Sequence, residues 1–197
     1  MRSIRKAREL DPLSPRANVD VGWVYLRTRR YAEALAQCRS TLELEPGFTG
    51  AEVCVEQALV KLGRSGEALA FTRRILARSG ATDAELASLD GVAPDEALAR
   101  ARRFRLRKME ERARTSYVSG YNLAVEQAAL GETSAALASL EAAFEERESM
   151  LYRVDSDPAF DALHENARFL ALARRVRQAA GPPPAARSSR LFHAPPG

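Results

Sequence analysis

NVDVGWVYLRTRRYAEALAQCRSTLELEP, residues 18–46, reads as two helices joined by a short turn. Val21, Val24 and Tyr25 in the first half, and Tyr31, Leu35, Cys38 and Leu42 in the second, recur at steps of three, four or seven. That spacing gives each helix one apolar stripe. A shift of 34 residues brings Leu10 onto Leu44, Pro12 onto Pro46, Tyr25 onto Leu59, Ala34 onto Ala68 and Leu42 onto Leu76. A fixed period of this kind marks stacked helical hairpins. No segment keeps the alternation of a strand, so the chain is predicted to be all-α.

The punctuation agrees with that period. Ser14-Pro15 offers an N-cap with proline in the first turn, and Thr49 and Ser119 offer similar starts. Gly63 and Gly131 fall between helical patterns, where a left-handed residue ends one helix before the next begins. Helices are predicted near 15–28, 31–44, 49–62, 66–79, 95–114, 119–130 and 133–147, with a short one near 83–90. A last amphipathic helix over 167–180 turns Phe169, Leu170 and Leu172 inward to cap the array.

The quoted stretch resembles a tetratricopeptide repeat. Gly22 and Tyr25 fit that unit's first helix, where a small residue permits close helix approach, and Tyr31, Ala34 and Pro46 fit its second helix and exit. The resemblance implies an α-solenoid of hairpins over 15–150, with units at 15–48, 49–82, a degenerate 83–116 and 117–150. In the second unit Glu56 replaces the small residue and Ser65 the aromatic. Leu123, Ala124, Gly131, Ala136, Ala143 and Phe144 carry the match in the last unit. The degenerate unit keeps its second helix and is expected to lack about one turn of its first.

Residues 117–175 also resemble the C-terminal part of tetratricopeptide arrays on bacterial proteins that join the array to a winged-helix, kinase or cyclase domain. Pro158, Phe160, Asp161, Leu163, Arg168 and Phe169 carry this match, and residues 164–167 depart from it. Residues 1–12, ending in RKARELDP (5–12), read as the second-helix remnant of a preceding repeat. The expectation is a C-terminal piece of a longer protein, with a solitary capping helix as the alternative. Self-association through that N-terminal edge is a further expectation. Residues 151–180 read as a capping segment, and GPPPAARSSRLFHAPPG (181–197) as a disordered tail.

Composition bounds the function classes. The chain has 197 residues, 46% hydrophobic and 28% charged, which suits a folded core. No apolar run approaches the roughly 18 residues of a membrane span, and MRSIRKAREL (1–10) is followed by no apolar stretch and does not read as a secretory signal, so a cytoplasmic protein is expected. The formal charge is +4, and 27 of the 30 basic residues are arginine. Cys38 and Cys54 are too few for a disulfide framework or a zinc site and read as two small buried hydrophobes.

The resemblance implies that first helices line a concave groove for a peptide or helix. The positions free of structural duty are Val19, Asp20, Trp23, Leu26 and Arg27, then Val53, Gln57 and Val60, then Tyr121, Asn122 and Val125. Trp23 is the natural anchor, and packing against the next hairpin is the competing use of its ring. Tetratricopeptide clamps for a C-terminal carboxylate use Lys, Asn and Arg where this chain has Val19, Trp23 and Cys54, so that clamp is not expected.

Residues 99–114 carry the densest positive charge, but Glu110 and Glu111 interrupt it and no aromatic platform accompanies it. A solvated helix face explains it better than nucleic acid. DSDPAFD (155–161) lacks the glycine and distal acid of a calcium loop, and Asp157-Pro158 reads as a helix cap. His164 and His193 have no recognisable catalytic partner, and there is no glycine-rich phosphate loop. The chain therefore reads as a non-catalytic protein-binding scaffold with no cofactor and no metal. The alternative is the sensory or assembly region of a larger bacterial regulator or signalling kinase.

Overall fold

A computed structural model describes residue 11 and residues 13–180, the last by its backbone alone. The expected half-repeat at 1–12, apart from Asp11, and the tail at 181–197 lie outside the described residues. Nine α-helices are present among the described residues: α1 (Pro15–Arg27), α2 (Tyr31–Leu44), α3 (Thr49–Lys61), α4 (Ser65–Arg78), α5 (Asp83–Ala87), α6 (Pro94–Ala113), α7 (Gly120–Ala129), α8 (Thr133–Glu145) and α9 (Ala167–Ala180). Two short 3₁₀ helices, Ser149–Arg153 and Pro158–Leu163, separate α8 from α9. No strand occurs among the described residues.

Side-chain caps form at three of the four starts read from the sequence. The Ser14 and Ser119 hydroxyls accept from Ala17 N and Asn122 N, and Asp157 caps the second 3₁₀ turn by accepting from Ala159 N. Thr49 does not cap α3. The cap position is Phe48, whose ring packs against the core and fixes the entry of the chain, and Thr49 is the first helical residue. The predicted α5 is shorter than the lost single turn implies: five residues, against thirteen in α1 and in α3. Gly91 and Pro94 stop it and start α6.

Three hairpin turns share one hydrogen-bond pattern. Arg30 N, Arg64 N and Glu132 N donate to Tyr25 O, Leu59 O and Gln127 O, each at 2.9 Å. The pattern needs a left-handed residue just before the donor. Gly63 (φ 71°) and Gly131 (φ 77°) meet that need without strain, but the first hairpin uses Arg29 at φ 59°.

Adjacent helices pack in pairs, α1 on α2, α2 on α3, α3 on α4 and α7 on α8, and α1 also touches α3. One apolar cluster joins α1–α4 through Leu26, Leu35, Val55 and Leu59, with Leu98 of α6 reaching it. A second joins α4 to α6 through Leu76, Leu89 and Phe104. The third holds α7–α9 and the 3₁₀ turns around Tyr121, Phe160 and Phe169. Leu170, predicted to face inward, is 39% exposed; Phe169, Leu172 and Val176 fill the inner side of α9, and one residue's rotation along the helix carries Leu170 out of it.

The reading of Cys38 and Cys54 as two buried thiols is corrected. They form a disulfide between α2 and α3, both side chains fully buried. Their spacing gave no sign of this, because two cysteines on different helices meet only once the helices pack. Gly22 of α1 lies against the bond, and a Cβ there would stand 2.2 Å from Cys38 Sγ. The close approach expected of Gly22 is thus to a sulfur.

Glu56, the residue that replaces the small one in the second unit, is 2% exposed. Arg105 of α6 grips both its oxygens at 3.1 Å, and the Thr72 hydroxyl donates to Oε1 at 2.6 Å. Burial opposes ionisation of this carboxyl, but the Arg105 guanidinium and the Thr72 hydroxyl outweigh it and hold it below the ordinary carboxylate value. Arg102 reaches Glu126 of α7 at 3.1 Å, and Arg105 Nε lies 3.3 Å from the same carboxylate. Two carboxylates and two guanidiniums thus bridge α3, α6 and α7, where the apolar clusters of the two halves part.

Candidate functional site

Helical spacing places Trp23 and Arg27, Val53 and Gln57, and Tyr121 and Val125 on single faces of α1, α3 and α7. The fold brings those three faces together. Trp23, Leu26, Arg27, Val53 and Gln57 line one cavity of about 240 Å³ with Tyr121, Asn122 and Val125. Gln57 and Val125 continue into a neighbouring cavity of about 480 Å³, which Val60 also lines. Two expected positions stand apart. Val19 is 2% exposed and sits in the core of α1–α4, because its side of the helix meets the next hairpin. Asp20 borders neither cavity and pairs with Arg16 at 3.5 Å.

Lys61, Arg102, Ala128 and Ala129 also line the larger cavity, and a further wall of both comes from the segment expected to serve only as a cap. Met150, Arg153 and Asp157 line the smaller cavity, and Pro158, Ala159, Asp161 and Ala162 the larger. This segment crosses to the turn ends of α1 and α3. Arg29 donates to Ser156 O and to Asp161, and Lys61 Nζ donates to Pro158 O at 2.7 Å and lies 3.7 Å from Asp161. Residues of the segment 150–162 therefore line both cavities beside the expected positions. Asp157-Pro158 was legible as a cap, but no local pattern tells where a capped turn will dock.

Charge is unevenly satisfied within the smaller cavity. The Tyr121 hydroxyl donates to Asp157 Oδ2 at 2.6 Å, while Asp157 Oδ1 accepts from Ala159 N at 2.9 Å. Burial first, then the nearby Asp157 carboxylate, pushes the Tyr121 phenol above its ordinary value. Burial first, then Arg153, pushes the Arg27 guanidinium below its own. Arg153 Nε donates to Tyr152 Oη at 2.8 Å.

The other sites considered from sequence are occupied by structural duties. On α6, Arg100 pairs with Glu96, Arg102 with Glu126, Arg105 with Glu56 and Arg107 with Glu85. Much of its positive charge is thus matched within the chain. The three carboxylates of DSDPAFD diverge: Asp155 meets Arg177, Asp157 meets Tyr121 and Asp161 meets Arg29. Among the described residues no cluster of three His, Cys, Asp or Glu side chains is arranged to hold a metal ion. His164 stacks beside Phe169 at 5.3 Å, and His193 lies outside the described residues. No described helix is long and apolar enough to cross a membrane.

Compared with known protein families the chain matches no family model, and no curated protein matches it.

Proposed function

We propose that this chain is a non-catalytic scaffold, built of tetratricopeptide-like hairpins, that holds a segment of a partner protein in the cleft between α1, α3 and α7. The observation that carries the reading is that Trp23, the chain's single tryptophan, lines one cavity with seven other positions that the resemblance implies for the groove. Apolar walls with a few polar groups suit a peptide or one helix face. An aromatic ring in such a cleft is the usual anchor of the contact.

A photo-crosslinking residue in place of Trp23, expressed in the source cells, tests this. A discrete protein adduct is expected from position 23 and not from Ala70, which lies exposed on α4. Equal labelling from both positions, or none from position 23, would refute the cleft as the binding site.

A further inference from the structure

Arg27 and Arg153 both line the smaller cavity, one from α1 and the other from the 3₁₀ helix after α8. Neither forms an ion pair with a described residue; Arg27 donates no side-chain hydrogen bond to one, and Arg153 bonds and stacks on Tyr152 alone. The single acidic side chain lining the cavity, Asp157, is already committed to the Tyr121 hydroxyl and to Ala159 N. The Gln57 and Asn122 side chains also border the cavity without a hydrogen-bond partner among the described residues. Two like charges held at one partly desolvated cavity repel each other, and a bound anion would relieve that repulsion.

We propose that this cavity is a carboxylate-reading subsite: Arg27 and Arg153 bind the acidic side chain of a partner peptide, beside an apolar residue seated on Trp23, Val53 and Met150. The proposal rests on the scaffold reading above and adds the chemistry of its ligand. Size and charge decide the class. A volume of about 240 Å³ lies below the range of roughly 300–1,000 Å³ usual for small-molecule pockets. It suits one or two side chains, and the adjoining cavity of about 480 Å³ leaves room for their neighbours.

Two guanidiniums and one carboxylate leave the lining at a single positive charge, which a monoanionic carboxylate neutralises. A phosphoryl group carries nearly two negative charges and would overshoot. The planar guanidinium fork also matches the two oxygens of a carboxylate. These are different residues from those of the tail clamp excluded by Val19, Trp23 and Cys54, and one of them comes from outside the helical hairpins.

The test is a selection of short random peptides displayed on phage against the full chain. The enriched peptide is then titrated by Trp23 fluorescence, which is unambiguous because the chain has one tryptophan. Enrichment of Asp or Glu beside an apolar residue is expected. Its Glu→Gln counterpart, and the protein variants Arg27→Gln and Arg153→Gln, should each bind about tenfold or more weakly. Arg103→Gln, the same charge change on the exposed side of α6, should bind as the parent does. Circular dichroism of each variant separates lost binding from lost folding.

Enriched peptides without acidic bias, or a Gln counterpart that binds equally, overturn the carboxylate subsite and leave the scaffold reading standing. A phosphoserine counterpart that binds more tightly than Glu overturns the choice of carboxylate. No enrichment at all removes both the subsite and the scaffold reading.

Discussion

Arg29 and Asp161, 132 residues apart in the chain, meet in a salt bridge that ties the first hairpin's turn to the segment before the last helix. Arg29 holds this position with a left-handed backbone at φ 59°, where the corresponding turns have glycine. Such a backbone costs a non-glycine residue roughly 1–2 kcal/mol. The Arg29 side chain offsets it by bonding Arg27 O, Ser156 O and Asp161 together.

Loosening that bridge should free residues 150–162 while the rest of the chain stays folded. Both partners are more than a third exposed, so Asp161→Asn should lower global stability by at most about 1 kcal/mol, and less in high salt. Amide exchange across 156–163 should nonetheless quicken. Arg29→Gly should be close to neutral in a urea melt, since relief of the backbone offsets the lost contacts. A loss of several kcal/mol in either variant would contradict this account.

Gly22→Ala should destabilise the protein by about 1–3 kcal/mol through overpacking. Its Cβ would fall 2.2 Å from Cys38 Sγ and 3.2 Å from Cys54 Sγ. In a Cys38→Ala, Cys54→Ala background the same change should become neutral or stabilising, because alanine is the better helix former once the sulfurs are gone. Equal costs in both backgrounds would show that another contact makes glycine necessary.

Reduction of the Cys38–Cys54 bond should lower stability by about 3 kcal/mol, the loop-closure value for cysteines 16 residues apart. Both sulfurs are fully buried, so the folded protein should resist reductant until it opens. Mass spectrometry after reduction and alkylation at increasing urea reads both quantities. Acid-quenched alkylation of source cells reads the state of the bond there; two alkylated cysteines would mean that the native chain carries thiols.

Glu56→Gln should destabilise by about 3 kcal/mol, because it leaves Arg105 buried with weakened pairing. The wild-type carboxyl sits below its ordinary value of 4.5, so the folded state binds fewer protons than the unfolded one. Its contribution is therefore present above about pH 4.5 and fades as pH falls through the folded value. Urea melts from about pH 7 to about pH 3 should show a shallower acid loss for Glu56→Gln than for the parent. Parallel curves would place the acid dependence on other carboxylates.

Much of the local structure was legible in the sequence, and the reasons are short-range. Ser14-Pro15, Ser119 and Asp157-Pro158 announced their starts because a cap bonds a backbone two or three residues away. Gly63 and Gly131 announced their turns because only glycine adopts the left-handed region freely. Arg29 hid the same turn, since its reason for being there lies at Asp161. Eight of the cavity's lining residues are positions that the tetratricopeptide resemblance implies for a groove, whereas Val19 lies in the core and Asp20 beside Arg16, because spacing gives a face and not its neighbour.

What the sequence determined by itself is the all-helical class, the order of the longer helices and their apolar stripes. Each of these depends on residues within a few turns of one another. The tertiary structure alone decided four things: that Cys38 meets Cys54, that Glu56 is held by Arg105, that residues of the segment 150–162 line both cavities, and that Arg27 and Arg153 share one of them. In each case the partners lie on different elements. Whether two such side chains touch depends on packing distance and rotation, which no local pattern of residues encodes.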